Sequence, residues 1–205
     1  MLLSLICNIS SLNVLDLSHN NLSDMIPSCF GNLSNNLSML DLRNNTFHGT
    51  ILETFAEGNN LRSLNLDGNQ LEGPLPQSLV NYRHLEMLDL GNNKINDTFS
   101  HWLGTLPNLR VLVLQSNRFH GPIENPNTKI SFTNLGIIDL AHNEFHGLLP
   151  EKYLNYLNAM MNAIADKGEL NYIGDIGELN YESILFFSRV SLSKFSLEAL
   201  YISWV

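Results

Sequence analysis

One short pattern recurs six times along this 205-residue chain and limits its possible folds more than any other feature. The pattern is Leu-x-x-Leu-x-Leu-x-x-Asn with an apolar residue two positions later, and it is cleanest over residues 109–119. The copies start 24 to 26 residues apart, at Leu12, Leu37, Leu61, Leu85, Leu109 and Leu135. Repetition at such a period predicts a solenoid in which every repeat supplies one short strand.

The order of residues within a repeat explains why the repeats must stack. In the first repeat we expect a strand over about residues 14–18, with Leu15 and Leu17 pointing inward and Asp16 and Ser18 pointing outward. A single coil cannot bury its own leucines, so neighbouring coils must pack together at the ordinary inter-strand spacing of about 4.8 Å. Six such strands would form a parallel ribbon roughly 24 Å across on the concave side.

An asparagine follows each predicted strand where the chain turns inward. Because an amide both donates and accepts hydrogen bonds, it can satisfy backbone groups that the turn would bury unpaired. We therefore interpret the column as structural; its members are Asn20, Asn45, Asn69, Asn93, Asn117 and Asn143. Further along each unit a Gly permits a turn and a Pro fixes the next bend, although Asp24 and Asp97 replace the Gly in repeats one and four.

The repeat period is lost near residue 150. We predict an α/β solenoid over residues 1–150, with a parallel β-sheet on its concave face, and a non-repeat segment over residues 151–205. Apolar residues at helical intervals predict a short helix over residues 151–165, followed by a loop. At the other end, residues 2–7 are apolar but lack a basic flank, so we interpret them as the end of a preceding repeat and not as a signal peptide.

The net charge of −9 excludes several classes of partner. Nucleic acid phosphates and anionic membranes both attract basic surfaces, so we expect neither as a ligand. The sequence also holds no uncharged apolar run of about 18 residues, so we expect no membrane span in this chain. A protein or peptide ligand remains.

No sequence motif points to catalysis, a cofactor or a metal. The chain has no HExxH, CxxC, GxSxG or GxGxxG pattern and no phosphate-binding loop. His48, His120 and His146 share one repeat position, and we interpret them as a solvated column and not as a zinc site. Aspartates on the strand face could do acid–base work only in a desolvated pocket, and we expect them on an open, shallow face; they are Asp16, Asp41, Asp89 and Asp139. We predict that the protein is not an enzyme.

Six N-x-[ST] triplets favour a secreted history with N-glycosylation. They begin at Asn8, Asn21, Asn32, Asn36, Asn44 and Asn96. Cys7 and Cys29 lie in adjacent coils, so a disulfide between them is possible, but two buried free thiols explain the pair equally well.

The strand residues that alternate with the inward leucines form the predicted ligand-binding surface. Their side chains do not hold the core, and their mixture of acidic, basic and apolar groups suits a peptide or protein more than a single small molecule. The predicted set is Asp16, Ser18, Met39, Asp41, Arg43, Arg62, Asn65, Asp67, Glu86, Met87, Asp89, Arg110, Val113, Gln115, Asp139 and His142. The alternative is that the aspartates belong to the repeat pattern itself and that this arc only spaces other coils.

Several stretches resemble plant leucine-rich-repeat receptor-like proteins of the disease-resistance class. They are LDLSHNNLSDMIPSCFGNLS, NLRSLNLDGNQLEGPLPQSLV, LEMLDLGNNKINDTFSHWLGTLPNLRVLVLQSNRFHGPI and IIDLAHNEFHGLLPEKYL. The Asn-x-Leu-x-Gly-x-Ile-Pro variant in them is the plant extracellular type. The resemblance spans about residues 5–160 and implies a leucine-rich-repeat horseshoe.

Members of that class are single-pass plasma-membrane glycoproteins with an extracellular repeat array and no kinase of their own. The resemblance therefore implies part of a cell-surface immune receptor on the extracellular face of the plasma membrane, which perceives pathogen molecules and signals through a partner receptor kinase. Two alternatives remain open. One is a soluble extracellular inhibitor of microbial wall-degrading enzymes, and the other is a fragment of a developmental peptide receptor.

Overall fold

The computed structural model describes residues 2–9, 11–33, 36–53, 58–123, 132–147 and 200–201. Its main sheet contains seven parallel strands in the order β1-β3-β5-β7-β9-β11-β13. These strands are β1 (Val14–Asp16), β3 (Met39–Asp41), β5 (Ser63–Asn65), β7 (Met87–Asp89), β9 (Val111–Val113), β11 (Ile137–Asp139) and β13 (Leu200–Tyr201).

The register of the main sheet follows the repeat. The central residues of β1 to β11 align across the sheet, and they are Leu15, Leu40, Leu64, Leu88, Leu112 and Ile138. The predicted leucine-rich-repeat solenoid with its parallel sheet is confirmed, although β1 ends at Asp16 and is shorter than the predicted 14–18. Each coil therefore advances the sheet by one strand.

Later in each coil a second set of parallel strands forms where only a turn was predicted. One sheet has the order β2-β4-β6-β8 and another pairs β10 with β12. The strands are β2 (Ser23–Met25), β4 (Thr46–Thr50), β6 (Gln70–Gly73), β8 (Lys94–Ile95), β10 (His120–Pro122) and β12 (Glu144–His146). Gly49 and Gly73 both have φ of +78° within these strands, a conformation that favours glycine.

Short helices complete the described coils. The chain begins with one α-helix, α1 (Leu2–Ile6), and three 3₁₀ helices follow later, at Ser28–Asn32, Gln77–Asn81 and His101–Thr105. Pro27 and Pro76 immediately precede the first two of these, with φ of −59° and −71°, so the proline ring fixes the bend before the helix begins.

One continuous core fills the inside of the coils. The second inward leucine of the pattern is almost fully buried in the middle coils, as are the apolar residues that follow the asparagines; examples are Leu66, Leu90, Phe47 and Phe119. The Tyr82 hydroxyl donates to the Gly31 carbonyl at 3.4 Å, across two coils. In the first coil Leu17 and Leu22 are only partly buried, because no described coil packs on its outer side.

Asp97, which replaces a Gly, links its own coil to the preceding one. Its carboxylate accepts hydrogen bonds from the backbone N–H groups of Thr98 at 2.7 Å and of Leu75, in the preceding coil, at 3.0 Å.

Cys7 and Cys29 form a disulfide with their Cα atoms 5.8 Å apart, so the pair is a disulfide and not two free thiols. The disulfide joins the turn after α1 to the first 3₁₀ helix.

The predicted helix over 151–165 and the loop after it lie outside the described residues. The strand β13 pairs with β11 through Ile138 with Leu200 and Asp139 with Tyr201. No repeat pattern precedes β13, so the sequence offered no signal for it. The helices in the described part of the chain are all too short or too polar to cross a bilayer.

Candidate functional site: the concave ribbon

The outer face of the main sheet, with the residues directly flanking its strands, forms a surface that we call the concave ribbon. It consists of residues 13–19, 38–44, 62–68, 86–92, 110–116 and 136–142. Three rows cross the coils on this surface. The edge row is Asn13, Ser38, Arg62, Glu86, Arg110 and Gly136; the apolar row is Val14, Met39, Ser63, Met87, Val111 and Ile137; and the carboxylate row is Asp16, Asp41, Asn65, Asp89, Val113 and Asp139.

The asparagine column holds consecutive coils together behind the ribbon. The amide of Asn69 donates to the carbonyls of Leu42 and Leu66, both at 3.0 Å, and its oxygen accepts from the Phe47 N–H at 3.1 Å. The same bridging pattern recurs at Asn45, Asn93, Asn117 and Asn143. Asn20, in the first coil, donates to two carbonyls of its own coil. These bonds fix the spacing of the strands from behind.

At the far side of the ribbon, every coil passes through the left-handed region. The φ values are +49° to +54° at the five non-glycine positions, which are His19, Asn44, Asn92, Ser116 and His142, and +65° at Gly68. The backbone N–H at this point donates across to the next coil, for example from Asn44 to the Asp67 carbonyl at 2.8 Å. The cost of the unusual φ is therefore offset in part by an inter-coil hydrogen bond.

The carboxylate row is built into the sheet. The side-chain oxygen of each acid or amide in the row accepts a hydrogen bond, at 2.9 to 3.1 Å, from the backbone N–H two residues later. Asp41 also lies beside its neighbour Arg43, with Oδ2 3.4 Å from Nε. These contacts close the turn that follows each strand, so the row has a structural role in addition to any role in recognition.

Five members of the predicted ligand-binding set are buried on the outer face of the sheet. Met39, Asp41, Asn65, Val113 and Asp139 are each more than nine-tenths buried. The reason is that equivalent side chains of adjacent strands stand only about 4.8 Å apart and cover one another, while hydrogen bonds hold the polar ones close to the backbone.

Burial changes the acid–base properties of the carboxylate row. The aspartates were expected on an open, shallow face, but Asp41 and Asp139 are buried. Burial raises the pKa of Asp41 and of Asp139 above the ordinary value. The pKa of Asp89 is raised to about 7, mainly by burial and to a smaller extent by the charge of Asp67. A glycine beside this pair makes the close approach possible, since a Cβ on Gly91 would lie 2.7 Å from the Asp67 Oδ1.

The exposed part of the predicted set lies mainly along the two edges of the ribbon. Arg62, Arg110, Asp16 and His142 are exposed; Ser18, Arg43, Asp67, Glu86, Met87, Asp89 and Gln115 are half-buried. In the middle coils Arg62, Glu86 and Arg110 form a row of alternating charge: the Glu86 carboxylate oxygens lie 3.5 Å from Arg62 Nη1 and 3.9 Å from Arg110 Nη1. Two of its three side chains, Arg62 and Arg110, are exposed in the middle coils.

The predicted glycosylation positions and the histidine column lie away from the core. Five of the six acceptor asparagines, namely Asn8, Asn21, Asn36, Asn44 and Asn96, are exposed; the side chain of Asn32 lies outside the described set. His48, His120 and His146 are exposed on the second-sheet strands. Within the described residues, His, Cys, Asp and Glu side chains form no group of three that could hold a metal ion.

Comparison with known proteins agrees with this architecture. The sequence matches the leucine rich repeat family over residues 10–71 and 60–119. The chain belongs to the leucine-rich-repeat family. Among curated relatives, it is 46% identical over 168 residues to Receptor-like protein 53 of Arabidopsis thaliana, an alignment that covers 82% of this chain and 17% of the relative. It is 56% identical over 135 residues to Receptor-like protein 9DC3 of Solanum pimpinellifolium, covering 66% of this chain and 16% of the relative.

The relatives confirm the resemblance to plant receptor-like proteins and show its extent. Receptor-like protein 32 of Arabidopsis thaliana aligns over 91% of this chain at 44% identity, yet the alignment covers 21% of that relative. This leucine-rich-repeat chain thus spans about a fifth of the length of the curated relatives that it matches.

Solved plant ectodomains share the fold. The plant peptide hormone receptor RGFR1 in complex with RGF2 superposes with a TM-score of 0.68 at 31% identity, over 75% of this chain and 24% of that chain. The ectodomain of the Arabidopsis thaliana receptor kinase SOBIR1 superposes with a TM-score of 0.55 at 28% identity, over 64% of this chain and 72% of that chain. The family model, the curated relatives and these ectodomains therefore agree on the repeat fold, and the chain is similar to part of a plant receptor-like repeat array.

Proposed function

We propose that this chain recognises a pathogen-derived protein or peptide on its concave ribbon, as part of an extracellular immune receptor that signals through a partner receptor kinase. The observation that supports the proposal is the combination of a receptor-like repeat array with an accessible, chemically mixed ribbon. The side chains of Arg62 and Arg110 are 61% and 45% exposed, and they lie outside the leucine core. They are therefore more exposed than the buried members of the carboxylate row, Asp41 and Asp139.

The test is binding of the full chain to purified proteins secreted by a plant pathogen, measured by biolayer interferometry. We expect at least one microbial protein to bind the wild-type chain. Its binding should be lost in the variant that combines Arg62→Glu with Arg110→Glu. The matched control is Lys94→Glu, which reverses an exposed cation on the second sheet and should leave binding unchanged. Equal loss in both variants would contradict recognition by the ribbon.

A second candidate is a developmental peptide receptor. Two solved structures favour it. RGFR1 is described as a peptide hormone receptor. A GASSHO1/SCHENGEN3 ectodomain is in complex with CASPARIAN STRIP INTEGRITY FACTOR 2, and it superposes with a TM-score of 0.59 at 36% identity, over 65% of this chain and 16% of that chain. Binding of plant peptides alone in the same assay would favour this candidate. Inhibition of a microbial wall-degrading enzyme would instead favour the soluble inhibitor.

A further inference from the structure

One predicted acceptor asparagine stands on the concave ribbon itself. Among the six asparagines that begin an N-x-[ST] triplet, Asn44 alone lies within the ribbon residues, and its side chain is exposed. Asn96 begins the one triplet that comes after the second coil. It lies beside the second sheet, where its backbone N–H donates to the Gly73 carbonyl at 3.0 Å. The ribbon of coils three to six therefore contains no acceptor.

The amide of Asn44 lies between the first and third coils. The residue occupies the left-handed turn at the far side of the ribbon, with φ of +51°. Its Nδ2 atom is 3.4 Å from the His19 Nδ1 atom in the first coil. Its Oδ1 atom lies against the third coil, since a Cβ on Gly68 would come within 2.5 Å of that oxygen. A sugar joined to Nδ2 would therefore leave the turn on the side of the first coil.

N-glycosylation would join this nitrogen to N-acetylglucosamine. The oligosaccharide comes from a lipid-linked pyrophosphate donor: the bond from the sugar C1 to the pyrophosphate oxygen breaks, a bond from C1 to Nδ2 forms, and the amide loses one proton. The transfer requires Ser or Thr at the third position of the triplet, and Thr46 supplies it. Because the product is bulky and hydrated, it occupies space that a protein partner would need.

The fourth coil repeats the turn without the acceptor. Asn92 occupies the position equivalent to Asn44, with φ of +49°, and an asparagine of the structural column follows both residues. The third residue is Lys94 in place of Thr46, so no triplet begins at Asn92. The same backbone therefore carries an acceptor in the second coil and none in the fourth.

We infer that Asn44 carries an N-linked glycan that covers the ribbon of the first two coils, so that the protein partner binds the ribbon of coils three to six. The inference rests on the proposed function and narrows the part of the ribbon that the partner contacts. The covered part includes Val14 and Asp16, whose side chains are exposed, and the open part begins at Arg62. A partner placed on the first coil would clash with the glycan, whereas one placed on the later coils would not.

Glycan occupancy is tested first, by glycopeptide mass spectrometry of the full chain secreted from plant cells behind a cleavable leader. We expect a glycan on Asn44 in the wild type and none after Thr46→Lys, which gives the second coil the residue found in the fourth. The Thr46 hydroxyl donates to the Leu22 carbonyl at 3.0 Å, but the Thr46 backbone N–H donates to the same carbonyl at 2.9 Å, so that carbonyl keeps a donor. An unmodified Asn44 in the secreted wild type would overturn the inference.

The binding footprint is tested with a phage-displayed library of random dodecapeptides, selected on the secreted wild-type chain. Lys94→Thr completes a triplet at Asn92, and the new glycan is verified by the same mass spectrometry. It should weaken binding of the selected pool about tenfold or more, because a glycan then stands beside the open coils. Lys94→Ala, which removes the same lysine without creating a triplet, should leave binding unchanged.

The first coil supplies the complementary comparison. Val14→Arg should leave binding of the wild-type pool unchanged, because the glycan already excludes peptides from that part of the ribbon. A pool selected on the Thr46→Lys chain should include peptides whose binding Val14→Arg weakens, since the first coil is then uncovered.

The outcomes separate this inference from the proposed function. A wild-type pool that Val14→Arg weakens would overturn the inference and leave recognition by the ribbon in place. So would a pool that Arg62→Glu weakens but that binds the Lys94→Thr chain as well as the Lys94→Ala chain. A pool that none of these substitutions weakens would bind away from the ribbon and would count against the proposed function as well.

Discussion

Replacing Asp89 with Asn should stabilise the protein at neutral and alkaline pH. The pKa of Asp89 is raised from 3.8 to about 7, mainly by burial and next by the charge of Asp67. A shift of about three pKa units corresponds to up to about 4 kcal/mol of unfavourable free energy once the carboxyl ionises in the folded state. Asn keeps the oxygen that accepts the Gly91 N–H at 3.0 Å. The preceding coil already carries Asn65 in the same row, where it makes the equivalent bond.

The pH dependence follows from the direction of the shift. Because the folded-state pKa lies above the unfolded-state value, the folded protein binds the proton more tightly, and the stability due to Asp89 is complete below about pH 4. That contribution is lost as the pH rises through about 7. Urea unfolding of the wild type should therefore show declining stability from pH 4 to pH 8. In Asp89→Asn the decline should be much smaller, since only the weaker shifts of Asp41 and Asp139 remain.

Asp16→Asn is the matched control. Asp16 lies in the same row and accepts the Ser18 N–H at 2.9 Å, but it is exposed in the first coil. Burial acts to raise its pKa, but the hydrogen bonds from Ser18 and the charges of Arg43 and His19 together outweigh that effect, and the pKa is lowered. Its replacement should give no gain at pH 8. An Asp89→Asn protein no more stable than the wild type at pH 8, or an equal gain from Asp16→Asn, would refute the reasoning.

Three further predictions concern the stacking of the coils, each measured by urea unfolding. Asn93→Ala should lower the free energy of unfolding by about 1–3 kcal/mol, because it leaves backbone groups of two coils unpaired. Asn20→Ala, in the first coil, should lower it by less, and equal losses would contradict the bridging role. Gly91→Ala should destabilise by about 1–3 kcal/mol, since the new Cβ would lie 2.7 Å from a carboxylate oxygen; an unchanged midpoint would mean that the carboxylate moves freely. Changing Cys7 and Cys29 together to Ser should lower the stability of the first coil by about 3 kcal/mol, and reduction of the wild type should have the same effect.

The stacked fold could be predicted from the sequence because the periodic residues report on local physics. Leucines at fixed spacing can be buried only by a neighbouring coil, and the asparagines at the turn, such as Asn69, carry the donors and acceptor that the turn requires. The second set of strands has a weaker signal. Gly49 and Gly73 indicate a turn, but pairing between the flanking residues depends on how the coils align, which a single repeat does not reveal.

The properties of the ribbon could be predicted only in part, since they depend on neighbouring strands. Alternation correctly places Asp41, Asn65 and Asp139 on the outer face of the sheet. Their burial arises from side chains in adjacent coils and from hydrogen bonds to their own backbone. The association of Arg62 and Arg110 around Glu86 likewise depends on register, because each arginine is 24 positions from Glu86 in sequence and becomes its neighbour only once the coils stack.

The stacking of coils in register is the claim on which the ribbon and its proposed ligand depend, and cysteine crosslinking tests it most directly. Val111 and Ile137 are direct partners in adjacent strands, both half-buried on the outer face of the sheet. Val111→Cys with Ile137→Cys should therefore form a second disulfide under mild oxidation, detected by mass spectrometry. Met87→Cys with Ile137→Cys, two coils apart at roughly 10 Å, should not. Crosslinking of the second pair and not the first would contradict the account.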